Sequence, residues 1–170
     1  MNAKQRRIVN RKWSNTAQIN YSKIISQLKP ATETDVSFEY LIKDFNQPGP
    51  SGVIFDLESV TKVLDQEFCQ KTVFCELDPY FGKRYSNLDK VFEVNLGNAI
   101  CSISELRYDP ETHFLYGKIK PIKRVFGNLK EDLCRDSLYF GLRTICEQPG
   151  NKIVSLISID IHIHKNKLGV

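Results

Sequence analysis

Three small groups of side chains in this 170-residue sequence have types and spacing suited to chemistry. In "FCELDPYFG", Glu76 and Asp78 are two residues apart, which puts both carboxylates on one face if the run is a strand. Such a pair can divide general-acid and general-base work. In "YFGLRTICE", Thr144 and Cys146 offer a hydroxyl and a thiol, and either becomes a nucleophile once an imidazole takes its proton. His113, beside a hairpin turn, and His162, on the neighbouring strand, are the bases available. In "SIDIHIH", Asp160, His162 and His164 alternate along one strand face, a donor set for a divalent metal. Each group also has a plainer reading. Asp78-Pro79 is a normal strand exit, thiols in apolar strands mostly pack, and the histidine pattern suits the fraying, solvent-facing end of a terminal strand. No metal and no cofactor are therefore expected. "NQPGPSG" lacks the strand–loop–helix context and the Lys-Ser/Thr pair of a phosphate loop.

The elements that must position these groups follow from periodicity. "DVSFEYLIKDF" alternates Val36, Phe38, Tyr40 and Ile42 against polar residues and predicts a half-buried strand. Residues 46–52 break the chain. In "DLESVTKVLDQEFCQ", Leu57, Val60, Leu64 and Phe68 form a helical stripe behind Asp56 as N-cap, predicting one helix over 57–69. Strands are predicted over 72–78, 99–107, 114–120, 139–147 and 153–163, the second and third joined at Asp109-Pro110-Glu111-Thr112. Leu129 and Leu133 mark a second short helix, and Ile24, Ile25 and Leu28 a third before Pro30. In the last strand, Ile153, Ile157, Ile159, Ile161 and Ile163 fall on one face. The expected class is α+β, a small curled antiparallel sheet or barrel with two or three peripheral helices.

Composition sets outer limits. At 41% hydrophobic and 26% charged the chain fits one domain with a proper core. No apolar run reaches the roughly 20 residues of a membrane helix, and "MNAKQRRIVNRKW" lacks a signal peptide's apolar core. A cytoplasmic product without membrane association is expected. The five cysteines show no C-x-x-C spacing, and four lie in apolar runs, so reduced, buried thiols are expected rather than zinc or disulfides. Lys4, Arg6, Arg7, Arg11 and Lys12 put five cations in the first 13 residues; the whole chain is +4, which leaves residues 14–170 at −1. Together with Trp13 and the amphipathic run to Leu28, they predict an N-terminal docking arm over 1–30 on a single domain of residues 31–170. The arm suits an acidic protein partner, or nucleic acid through phosphate contacts.

From residue 46 to about 161, the order of motifs resembles the prohead (capsid-maturation) proteases of tailed phages, relatives of the herpesvirus assemblin fold. The fragments are "NQPGPSGVIFDLESVTKVL", "CELDPY", "ISELRYD", "YGKIKPI", "GNLKEDL", "YFGLRT" and a return strand of "IDI" type. The family's catalytic histidine follows Glu-Leu-Asp, where this chain has Pro79 directly after Asp78. The family's serine precedes an arginine that aligns on Arg143, which places Gly141 and Leu142 at the serine positions. The resemblance thus implies a cleft that keeps Glu76, Asp78 and Arg143 but has lost both nucleophile and base.

Three functions follow from these readings. The first is a catalytically inactive prohead-protease-like phage protein, a structural, assembly or protein-binding component that docks on other virion or scaffold proteins. The second is an active serine- or cysteine-type hydrolase with its nucleophile relocated to Thr144 or Cys146. The third is a phage protein that binds and inhibits a host defence factor. The location implied is the virion or the host cytoplasm, and self-association is compatible with all three.

Overall fold

A computed structural model describes residues 23–49, 52–77, 92–147 and 151–164. The arm residues Lys4, Arg6, Arg7, Arg11, Lys12 and Trp13, and Asp78 of the carboxylate pair, lie outside the described residues. The fold is α+β. Strands β1 (Lys29–Pro30) and β6 (Lys123–Arg124) form a two-residue antiparallel ribbon. Strands β2 (Phe38–Asp44), β3 (Val73–Glu76), β4 (Ala99–Asp109) and β5 (Phe114–Pro121) form an antiparallel sheet ordered β2-β5-β4-β3. Strands β7 (Leu138–Glu147) and β8 (Lys152–Ile163) form a long antiparallel pair. One parallel bridge, Leu77 to Ile161, sets β8 against the end of β3.

The strands therefore curl around one core in the spatial order β2-β5-β4-β3-β8-β7. Ile42, Phe45, Ile103, Leu115, Ile119, Leu77, Ile159 and Ile161 all belong to it. The curl does not close into a barrel. Where β7 comes back towards β2, side chains meet, with the Tyr40 and Phe140 rings 6.1 Å apart, but no backbone ladder joins the two strands among the described residues. Close layering inside the curl relies on Gly117. A Cβ there would stand 2.5 Å from Ile103 Cγ2 and 2.9 Å from Ile42 Cδ1.

The helices pack outside. Asp56 caps α1 (Leu57–Val63), its carboxylate accepting from Ser59 N at 2.9 Å. Ser59 Oγ in turn accepts from Ile153 N at 3.0 Å, tying α1 to the start of β8. The single helix expected over 57–69 is two. Asp65 caps a separate α2 (Gln66–Cys69) by accepting from Phe68 N at 2.9 Å, and its extended backbone ends the first helix. Val60, Leu64 and Phe68 still all reach the core. In α3 (Leu129–Cys134), Asn128 is the cap and Leu129 and Leu133 are buried. A helical turn at 23–26 carries Ile24 and Ile25, which pack with Leu28 against the core. Residues 23–30, at the end of the expected arm, are thus attached to the body.

Candidate functional site

Arg143 is the one fully buried guanidinium among the described residues, 2% exposed on the middle of β7. Its Nε donates to Asp160 Oδ2 at 3.0 Å, and Nη2 donates to Asp160 Oδ1 and to Glu76 Oε2, each at 2.7 Å. Nη1 donates to the Glu93 carbonyl at 2.7 Å. One cation thus joins three segments: the end of β3, the strand β8, and the chain re-entering before β4. The strands put it there by register, since Arg143 pairs with Ser158 and Gly141 with Asp160, close neighbours on adjacent strands. Burial pushes the Asp160 carboxyl above the ordinary range, against the Arg143 hydrogen bonds that pull it down. Two carboxylates on one guanidinium make a structural clamp, with the Arg143 fork filled by protein groups.

Just below lie Cys75 and Cys101, directly opposed on β3 and β4 and both buried. Burial pushes the Cys75 thiol well up, so it is not a ready nucleophile. Buried thiols were expected because four of the five cysteines lie in apolar runs; Cys75 and Cys101 are buried, Cys69 and Cys146 are half-buried, and Cys134 is exposed at the end of α3.

The relocated-nucleophile geometry does not form with His162. His162 pairs with Tyr139, five residues from Thr144 and seven from Cys146 on β7. Its ring leans along β7 to Gly141, which is still three residues from Thr144 and five from Cys146, about 10 and 17 Å at about 3.3 Å per residue, whereas a base must lie within about 3 Å of its nucleophile. Thr144 Oγ1 instead contacts Cys146 Sγ at 3.4 Å. His113 is a turn residue with φ 61°, its Nδ1 held 2.7 Å from the Tyr108 hydroxyl.

The Asp160, His162 and His164 set is also divided. It was expected at a solvent-facing strand end, but β8 is the inner strand of its pair, between β3 and β7, and Asp160 is 1% exposed. Both Asp160 oxygens are bonded to Arg143, while the His162 ring stacks on Tyr139 at 5.4 Å and His164 meets Tyr139 edge-on. No group of three or more His, Cys, Asp or Glu suited to a metal occurs among the described residues.

Gly141 and Leu142 line an open depression of about 230 Å³ at the seam between β2 and β7, with Lys43, Phe55, Tyr139 and His162. The His162 ring lies against the bare Cα of Gly141: a Cβ there would be 2.5 Å from both Cδ2 and Nε2 of the ring. The space a side chain would need at position 141 is already filled.

Sequence reasoning named Arg143 and Glu76 but left Asp160 out of their cluster. The signal was present, because an acid isolated among isoleucines in "SIDIHI" and a cation isolated in "FGLRTIC" must find partners when buried. Lys43 was missed altogether, since a lysine near a strand end is unremarkable in sequence. No family model, curated protein or solved structure matches the chain.

Proposed function

We propose that this is a catalytically inactive protein of the prohead-protease type, a phage assembly component that works by binding other proteins in the virion or the host cytoplasm. The observation carrying this reading is position 141. The motif order places the family's serine at 141–142, and at 141 the chain has a glycine whose side-chain space is occupied by His162. Arg143, next in the same motif, is engaged by Asp160, Glu76 and the Glu93 carbonyl. A residue committed to holding three segments together supports a scaffold rather than a reacting centre. The separation of Thr144 and Cys146 from His162 argues against the hydrolase reading.

The test has two arms. Purified full-length protein is incubated alone, with a scaffold-like peptide, and with a fluorophosphonate probe. The expected result is intact protein, intact peptide and no label on Thr144; cleavage or labelling overturns the inactive assignment. The binding side is tested by co-purification from infected cells at low and high salt, with and without residues 2–13. The expected outcome is a defined virion or scaffold protein whose recovery falls with salt and with the deletion. Recovery indifferent to both removes the arm from the proposal, and recovery of only a host defence enzyme replaces the assembly role with an inhibitory one.

A further inference from the structure

The seam depression holds a cation that forms no ion pair among the described residues. Strand β2 loses its regular register with β5 between Leu41 and Lys43, so its two-faced alternation ends there, and Lys43 joins the depression wall beside Gly49. Its Nζ would be 3.6 Å from a Cβ on Gly49 and lies 5.7 Å from the Phe45 ring centroid. Among the described residues no salt bridge to Lys43 occurs, and the Asp44 carboxylate, next in sequence, acts on it only from beyond ion-pair distance. Most of the remaining lining is apolar, from Val53, Phe55, Tyr139, Phe140 and Leu142.

We propose that this depression binds a carboxylate carried on an apolar group of one residue's size, with Lys43 as the counter-ion, and that the source is the carboxyl-terminal residue of a polypeptide. Size argues for a single residue: about 230 Å³ is below the roughly 300–1,000 Å³ of sites that enclose a drug-sized ligand. The chemistry of the walls argues for the rest. A chain-terminal residue with an apolar side chain presents a carboxylate and a hydrophobic body a few bonds apart, matching one ammonium beside an aromatic and aliphatic wall. An ammonium held half out of water also gains by meeting a carboxylate. Burial already pushes the Lys43 pKa down, and an anion in contact reverses that effect. The inference rests on the protein-binding reading only for the polypeptide source; the carboxylate site stands on the depression itself.

The site is tested by titrating the full chain with N-acetyl-phenylalanine and with N-acetyl-phenylalaninamide, following the amide resonances of Gly141 and Leu142. The acid should bind about tenfold or more tightly than the amide, the worth of one charge-assisted contact. Lys43→Met should bring the acid down to the level of the amide. Lys43→Arg should keep the preference, and Lys118→Met, an exposed cation on β5, should leave it unchanged. Equal binding of acid and amide, absence of binding, or an unaffected Lys43→Met overturns the site. The source is tested with a six-residue peptide ending in Phe with a free carboxylate. Tighter binding than N-acetyl-phenylalanine supports a polypeptide; equal or weaker binding overturns that part and leaves a free apolar acid. None of these readouts depends on hydrolysis, so they fail or succeed separately from the inactive-protease reading.

Discussion

Arg143 and Arg124 each grip a buried aspartate with the same two-pronged fork, yet the two aspartates are displaced in opposite directions. Arg124 donates from Nε to Asp35 Oδ2 at 2.7 Å and from Nη2 to Oδ1 at 3.0 Å. Arg143 does the same to Asp160, at 3.0 and 2.7 Å. Asp35 is held down at about 2 by the Arg124 hydrogen bonds, helped by the Thr32 N–H, whereas Asp160 is pushed up by burial. The fork geometry is shared, so it cannot be the cause. Arg124 is a third exposed, and Asp35 collects further donors from Thr32 N and Asn128 Nδ2. Arg143 is shut away from water and divides its charge between Asp160 and Glu76. An ion pair is strengthened or weakened by what surrounds it more than by its own contact distance.

The largest effect separating the two clusters should come from removing each guanidinium. Arg143→Met leaves two carboxylates buried without their cation, and a loss of about 3–5 kcal/mol is expected in chemical denaturation. Replacing Glu76 and Asp160 by leucine in the same background should recover much of that loss, since an apolar triad of similar volume removes the unpaired charge. Arg124→Met should cost clearly less, because Asp35 keeps its Thr32 and Asn128 donors. If Arg124→Met proves the more damaging of the two, burial is not what distinguishes the clusters.

A smaller effect sharpens the description of the inner cluster's neighbourhood. Gly141→Ser forces a Cβ into the His162 ring, 2.5 Å from Cδ2 and Nε2, and overpacking of this kind costs about 1–3 kcal/mol. His162→Ala alone loses the stacking on Tyr139, but combined with Gly141→Ser it should be less damaging than the sum of the two single changes. Strict additivity would mean that His162 swings away freely and does not close position 141.

The contrast also explains what was legible in the sequence. Elements were, because their cause is local: the alternation over 114–120, the Leu57–Val60–Leu64–Phe68 stripe and the turn at Asp109-Pro110 each need only a few consecutive residues. The break at Leu64–Asp65 was missed because the apolar stripe continues through it, although Asp65 has the propensity of a cap. Glu76 and Arg143 were drawn out by a motif order, but their meeting is a matter of β3 lying beside β8, which no local pattern encodes. The Asp35–Arg124 pair joins residues 89 positions apart and left no trace in composition. Lys43 in the seam depends on how far the curled sheets fail to close, the least local property of all.

The smallest effect is the pH dependence of the two aspartates, and its sign differs between them. An aspartate whose folded pKa is lowered contributes stability that is complete above its unfolded pKa, about 3.9. That stability is lost as pH falls towards the folded value, here about 2 for Asp35. Below about pH 4, stability of the wild type should therefore fall more steeply than that of Asp35→Asn. Asp160 behaves in the other sense. Its folded pKa is raised by burial, with Arg143 and His162 opposing and Glu76 assisting, so the folded state holds a proton that the unfolded state has released. Its contribution favours folding below about pH 3.9 and diminishes as pH rises through the folded pKa. Asp160→Asn removes that decline while keeping an oxygen for Arg143. In urea denaturation from pH 3 to 7, the difference in stability between wild type and Asp160→Asn should move against the wild type as pH rises, while the difference for Asp35→Asn moves in its favour up to about pH 5. Slopes of the same sign for both variants would show that the two forks are electrostatically equivalent and that Glu76 and the core around Arg143 do not set the behaviour of Asp160.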